Sequence, residues 1–185
     1  MHRAVEIALG EVGYLEKDTP EALDEKETSA GSANFTKYAR DMDAISRFYN
    51  GSKQGYPWCD VFVDWCFVTA YGEAMARTLL CQPKNSKGAG CRYSMAYYQQ
   101  EGRLFSQPEP GDQIFFQTDG KICHTGIVTG VKDGMVHTVE GNTSSEPGVV
   151  SNGGCVREKH YPLDSPVIAG YGRPDYAMAE CPVQV

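Results

Sequence analysis

The sequence predicts an α+β fold in which N-terminal helices pack on an antiparallel β-sheet. Helical periodicity dominates as far as about residue 101, and strand patterns dominate from Gly102 onward. Asp133-Gly134 separates two runs of strand-forming residues, a hairpin signal that makes neighbouring strands antiparallel. At 185 residues the chain is long enough for one domain with its own core. That domain is expected to span residues 1–175, with 176–185 a tail or the start of a linker.

Arg3 to Leu15 reads as an amphipathic helix through Val5, Ile7, Ala8, Leu9 and Val12, ended by Gly13-Tyr14. Lys17 to Gly31 is acidic and poor in large apolar groups, hence an exposed loop with a short helix at Pro20–Leu23. Asn34 is placed to cap a second helix, Phe35 to Asp43. After a polar approach, Pro57 opens a third helix whose apolar residues Val61, Phe62, Trp65, Cys66, Phe67 and Val68 leave little polar face. Such a helix belongs in the middle of a domain. Glu73 to Leu80 and Ser94 to Glu101 are shorter helices around a Gln82–Cys91 loop. The strands are Gln113–Gln117, His124–Val131, Met135–Asn142, Val150–Lys159 and Val167–Tyr171.

Composition excludes several classes of function. Hydrophobic residues make up 41% and charged residues 22%, ordinary for a globular protein. The net charge is −7 and no Lys/Arg cluster occurs, which argues against nucleic acid as a partner and against electrostatic attraction to an anionic surface. No apolar run reaches the length of a membrane span, so no membrane insertion is expected. The first residues carry acid too early for a secretory signal, so synthesis in the cytoplasm is expected. Seven cysteines, an odd number without a CxxC pair or zinc-like spacing, favour a reduced protein without a metal site. A monomer is expected.

One cysteine stands out by position. Cys59 falls in the first turn of the central helix, where free N–H groups and the helix dipole favour a thiolate. A nucleophilic cysteine needs a base, usually histidine, and a group to orient it. Of four histidines, His2 is terminal, His160 sits in a loop and His137 is a half-exposed strand residue. His124 opens a strand and is followed by Gly126, which leaves room in front of the sheet. If Lys132-Asp133-Gly134 forms a three-residue loop with Gly134 left-handed, Val131 pairs with Met135 and Gly126 with Glu140. His124 then faces Asn142 directly and Glu140 diagonally. A two-residue turn would send Glu140 to the face opposite His124. The three-residue loop is preferred.

Pro57-Trp58-Cys59 with its helix, Pro110-Gly111-Asp112-Gln113-Ile114-Phe115-Phe116, His124-Thr125-Gly126-Ile127-Val128 and Val139-Glu140-Gly141-Asn142-Thr143 together resemble the CHAP family, the cysteine- and histidine-dependent amidohydrolases/peptidases of the papain-like superfamily. The resemblance spans about residues 3–175. It implies a papain-like fold and a peptidoglycan hydrolase, in particular a phage or prophage endolysin acting on the cell wall after release. The bond cut would be the N-acetylmuramoyl-L-alanine amide or one within the stem peptide or cross-bridge. It implies Cys59 as nucleophile, His124 as base and then acid, Glu140 as the orienting carboxylate, and Asn142 as a supporting or alternative third member. Gln54 and Tyr56 are candidates for an oxyanion donor beside the Cys59 N–H, and Tyr56-Pro57-Trp58 for a cleft wall. Some relatives bind calcium in an acidic loop before the cysteine. Here only Asp41 and Asp43 are paired upstream, and without alternating ligands after them calcium is not favoured. Two other readings are an amidase of small amides and a non-catalytic wall-binding module.

Overall fold

A computed structural model describes residues 1–84 and 89–180, without the side chain of Glu180. Five helices precede the sheet: α1 (Arg3–Gly10), α2 (Lys37–Asp43), α3 (Cys59–Tyr71), α4 (Glu73–Leu79) and α5 (Cys91–Gln100). Six strands follow, β1 (Leu104–Phe105), β2 (Gln113–Thr118), β3 (Lys121–Lys132), β4 (Met135–Thr143), β5 (Cys155–Pro162) and β6 (Ile168–Gly172), and then a single helical turn, α6 (Ala177–Glu180). The sheet is antiparallel throughout, in the order β1-β6-β2-β3-β4-β5. The expected α+β class and the order of helices before strands hold. The middle of the Gln82–Cys91 loop and residues 181–185 of the expected tail lie outside the described residues.

The boundaries differ from expectation for local reasons. Helix α1 ends at Gly10, because Gly13 turns the chain at φ 97° and Leu15 bridges to Cys155. Thr36, not Asn34, caps α2: its hydroxyl accepts from the Ala39 N–H at 3.1 Å. Pro20–Leu23 is a turn rather than a helix. Helix α5 begins three residues earlier than expected, which brings Cys91 to its first position. At the C-terminal end, Tyr176 stacks on His2 at 3.6 Å and donates its hydroxyl to the Gly111 carbonyl at 2.8 Å. The packed body therefore continues past residue 175.

Both faces of the sheet are covered. Phe115, Ile127 and Val139 join the main core with α1, α2 and α3, where Val61, Phe62, Cys66 and Phe67 are fully buried. Ile114, Phe116, Val128, Val136, Tyr161 and Tyr171 form a smaller cluster on the opposite face. Helix α3 is thus enclosed nearly all round, as its apolar circumference requires.

Two acids of α3 are buried in this packing. Asp64 accepts from Tyr49 Oη at 2.6 Å and from Gln82 Nε2 at 2.7 Å. Burial, and next the charge of Asp60, push its carboxyl well above the usual range. A carboxyl raised in the folded state contributes stability below its unfolded pKa and loses that contribution as pH rises through the folded value. Asp64→Asn is therefore expected to raise the melting temperature relative to wild type at pH 8, by about a few degrees. The gain should shrink toward pH 4. Thermal melts at the two pH values check this, and a variant less stable than wild type at pH 8 contradicts it.

Candidate active site

The hairpin decides where the candidate residues fall. Lys132 pairs with Met135, so the turn is the two residues Asp133 and Gly134, both left-handed at φ 53° and 74°. The expected three-residue loop is therefore corrected: Asp-Gly adopts the tight turn that suits strand twist. The extra residue is absorbed further along. Val128 pairs with Thr138 and Gly130 with His137, leaving Thr129 as a bulge. Beyond the bulge Ile127 faces Val139, the register expected from the longer loop. A turn and a bulge together reach the alignment that a three-residue loop alone would have given.

That alignment joins His124 to Glu140. His124 Nε2 and Glu140 Oε2 lie 3.0 Å apart, and both side chains are fully buried. Thr138 donates to Glu140 Oε1 at 2.6 Å and Tyr161 to Oε2 at 3.2 Å. The imidazole stacks near Phe116 of the smaller cluster. Gly126 makes the pair possible: a Cβ there would lie 2.6 Å from Glu140 Cγ and 2.8 Å from the Val139 carbonyl oxygen. Asn142 does not reach the imidazole. It is buried and left-handed at φ 56°, and its amide donates to the Ser151 carbonyl at 3.3 Å. The second imidazole nitrogen, Nδ1, is buried and makes no hydrogen bond among the described residues.

Cys59 is the first residue of α3 and lies on a cleft of about 730 Å³ lined also by Lys53, Tyr56, Pro57, Cys91 and Cys123. No hydrogen bond joins it to His124. Its thiol partner is Cys91. That contact, and next burial, push the thiol well above the ordinary range, against the lowering effect of the Asp60 N–H. The expected depression by the helix terminus is therefore reversed: an adjacent thiol and loss of water outweigh the dipole. A larger cavity of about 1070 Å³, among Arg47, Arg77, Tyr97 and Arg103, contains none of the candidate catalytic residues.

The cysteine and histidine elements are tied by neighbours that sequence reasoning did not single out. Asp60, beside Cys59, accepts from Gln113 Nε2 at 3.0 Å, and the same Nε2 lies 3.1 Å from Thr125 Oγ1, beside His124. Asp60 Oδ2 also accepts from the Gly90 N–H and the Ser94 hydroxyl, both at 2.8 Å, which fixes the start of α5 against the start of α3. By position alone Asp60 is an ordinary acid in the first turn of α3, favoured there by the helix dipole. It is a buried junction of three elements, and no periodicity marks it as one.

Two of the proposed cleft residues take structural places instead. The Gln54 amide is engaged on both sides by the Thr36 backbone: Oε1 accepts from its N–H at 3.0 Å and Nε2 donates to its carbonyl at 2.8 Å. The amide is thereby held against Thr36, and Gln54 is not among the residues that line the cleft of Cys59. Trp58 is fully buried, with its indole N–H donating to Glu16 Oε2 at 2.8 Å, and it packs against Gly141 where a Cβ would collide with its ring. Of Tyr56, Pro57 and Trp58, only Tyr56 and Pro57 line the cleft. Trp58→Phe is expected to cost about 1–3 kcal/mol of stability, because it leaves a buried carboxylate without its donor. Denaturant unfolding measures this, and unchanged stability would refute the structural assignment of Trp58. Asp41 and Asp43, the acids weighed as cation ligands, are held by protein donors. Trp65 donates to Asp41, and Ser52, the Lys53 N–H and the Gln54 N–H donate to Asp43.

A central helix headed by a cysteine and packed on an antiparallel sheet is the arrangement of the papain-like fold. Residues 51–142 match the family model of the CHAP domain, and the chain belongs to that family. The match is narrower than the span of about 3–175 expected from the sequence, and it covers Cys59, His124, Glu140 and Asn142. No curated protein matches the chain. Family membership implies, in general terms, a peptidoglycan hydrolase of the cysteine- and histidine-dependent amidase or peptidase kind.

Proposed function

We propose that this protein hydrolyses an amide bond of peptidoglycan by nucleophilic catalysis at Cys59, in the manner of a phage or prophage endolysin. The observation that carries the reading is the buried His124–Glu140 pair, whose second nitrogen is left without a partner. A carboxylate on Nε2 holds the proton there and leaves Nδ1 as the acceptor. The thiol turns from Cys91 toward Nδ1 as substrate enters, since catalytic hydrogen bonds often tighten only in the complex. Cys59 Sγ attacks the amide carbonyl while His124 takes the thiol proton. His124 then protonates the leaving amine, and water, activated by the same imidazole, releases the acid from the thioester. The oxyanion is held by the Cys59 N–H at the start of α3, with the Tyr56 hydroxyl as second donor from the exposed cleft wall.

Mass spectrometry of digested peptidoglycan tests the reading. A new free muramic lactyl carboxyl identifies an amidase, and a new peptide amine an endopeptidase. Peptidoglycan left intact while a small amide is hydrolysed would overturn the proposed substrate.

A further inference from the structure

We propose that Cys59 and Cys91 form a site of reversible oxidative modification, in which a peroxide converts Cys59 to a sulfenic acid and Cys91 closes it as a disulfide. Three features place the two thiols together. Each is the first residue of its helix, α3 and α5. The residue after Cys59 and the residue before Cys91 are joined directly, Asp60 Oδ2 accepting from the Gly90 N–H at 2.8 Å, and Ser94 adds a second bond one turn along α5. Both thiols line the same cleft, open to a small oxidant, and are partners of one another.

The other described cysteines are less well placed. Cys123 lies on the same cleft, but its thiol is directed to the Phe116 carbonyl at 3.7 Å and the Thr118 hydroxyl at 3.5 Å. Cys155 donates to the Thr143 carbonyl, Cys66 is buried in the main core, and Cys81 lines the separate larger cavity. Among the described cysteines, Cys91 alone is a partner of the Cys59 thiol.

The chemistry balances with one peroxide molecule. The Cys59 thiolate attacks a peroxide oxygen, the O–O bond breaks, and hydroxide leaves to be protonated to water. Sulfur is oxidised by two electrons and the peroxide reduced. The Cys91 sulfur then attacks the sulfenic sulfur. The S–S bond forms, the S–O bond breaks, and the second oxygen leaves as water. An added dithiol reverses the bond by exchange. The resting Cys59 thiol is protonated and sheltered, so the thiolate needed for the first step arises when a base takes its proton. The pairing stands on the geometry. That it silences the enzyme rests on the nucleophilic role proposed above.

The test uses the purified full chain titrated with hydrogen peroxide. The expected product has lost two hydrogens, about 2 Da, and its non-reducing peptide map links Cys59 to Cys91. Wall-clearing activity should fall with disulfide formation and return with dithiothreitol. In Cys91→Ser, Cys59 should instead gain oxygen, and dithiothreitol should restore only a minor part of the activity, because over-oxidation is irreversible. A link from Cys59 to Cys123, no linked product, or full recovery of the Cys91→Ser variant would overturn the proposal. The two readings fail separately. A Cys59–Cys91 link in a protein that never cuts peptidoglycan removes the function and leaves the site. Cys59-dependent hydrolysis without the link does the reverse.

Discussion

Cys59→Ala is expected to abolish clearing of a cell-wall suspension, by about four orders of magnitude or more, while the fold survives. Removing the nucleophile of a catalytic set costs on that scale because the remaining groups act only through it. The fold should survive because the side chain removed is small and the position is the first of a helix, where alanine meets no steric penalty. The helix is held elsewhere, by Asp60 and by the apolar ring of Val61, Phe62 and Phe67. Turbidity decay reads the activity and far-UV circular dichroism the fold. Cys155→Ala is the contrast. It removes the donor to the buried Thr143 carbonyl and should cost stability of about 1–2 kcal/mol, with activity kept in the folded fraction. Full lysis by Cys59→Ala, with the fold intact, would remove the thiol mechanism.

Some of this was readable from residue order, and the reasons differ from element to element. Helix α3 announced itself because an apolar run behind a proline has few other structures available. The pairing of His124 with Glu140 was readable because strand side chains alternate strictly, so only two registers compete. The local mechanism was not readable. A bulge at Thr129 and a shorter turn at Asp133-Gly134 shift the pairing by compensating amounts, and alternation alone does not separate that from one longer loop. Thr138 and Tyr161 were legible in part. Thr138 lies two residues before Glu140 and must share its face, whereas Tyr161 fell outside the strand expected to end at Lys159.

The state of the Cys59 thiol departs furthest from what the sequence predicts, and the departure has a physical cause. Helix position is a local property of sequence, while the neighbour that outweighs it, Cys91, comes from a helix whose start was placed three residues late. The same error hid the junction at Asp60, since Gly90 and Ser94 meet it only when α5 begins at Cys91. Trp58 and Gln54 failed similarly. Their side chains are claimed by Glu16 and Thr36, residues far upstream that no spacing rule connects to the cysteine.

Glu140→Gln is expected to lower the rate by about three to four orders of magnitude, the scale of a carboxylate-to-amide change in a catalytic triad. The substitution keeps volume, and Thr138 still offers its donor to a carbonyl oxygen at the Oε1 position. With that oxygen held, the amide N–H₂ is turned to His124 Nε2. The imidazole proton must then move to Nδ1, the nitrogen that has to accept from the thiol. Asn142→Gly separates this from the other candidate third member. Glycine tolerates the φ of 56° at that position, and the bond lost, to the Ser151 carbonyl, does not touch the imidazole. Its effect should stay below about tenfold, with a stability loss of about 1 kcal/mol from the missing bond. Steady-state rates on soluble peptidoglycan fragments, with melting curves to exclude unfolding, compare the two. If Asn142→Gly falls as far as Glu140→Gln is expected to, and Glu140→Gln keeps most of its rate, the orienting role passes from the carboxylate to the amide. The 3.0 Å contact at Nε2 would then be a packing feature, and the route by which His124 gains its basicity would have to run through the backbone around Asn142 instead.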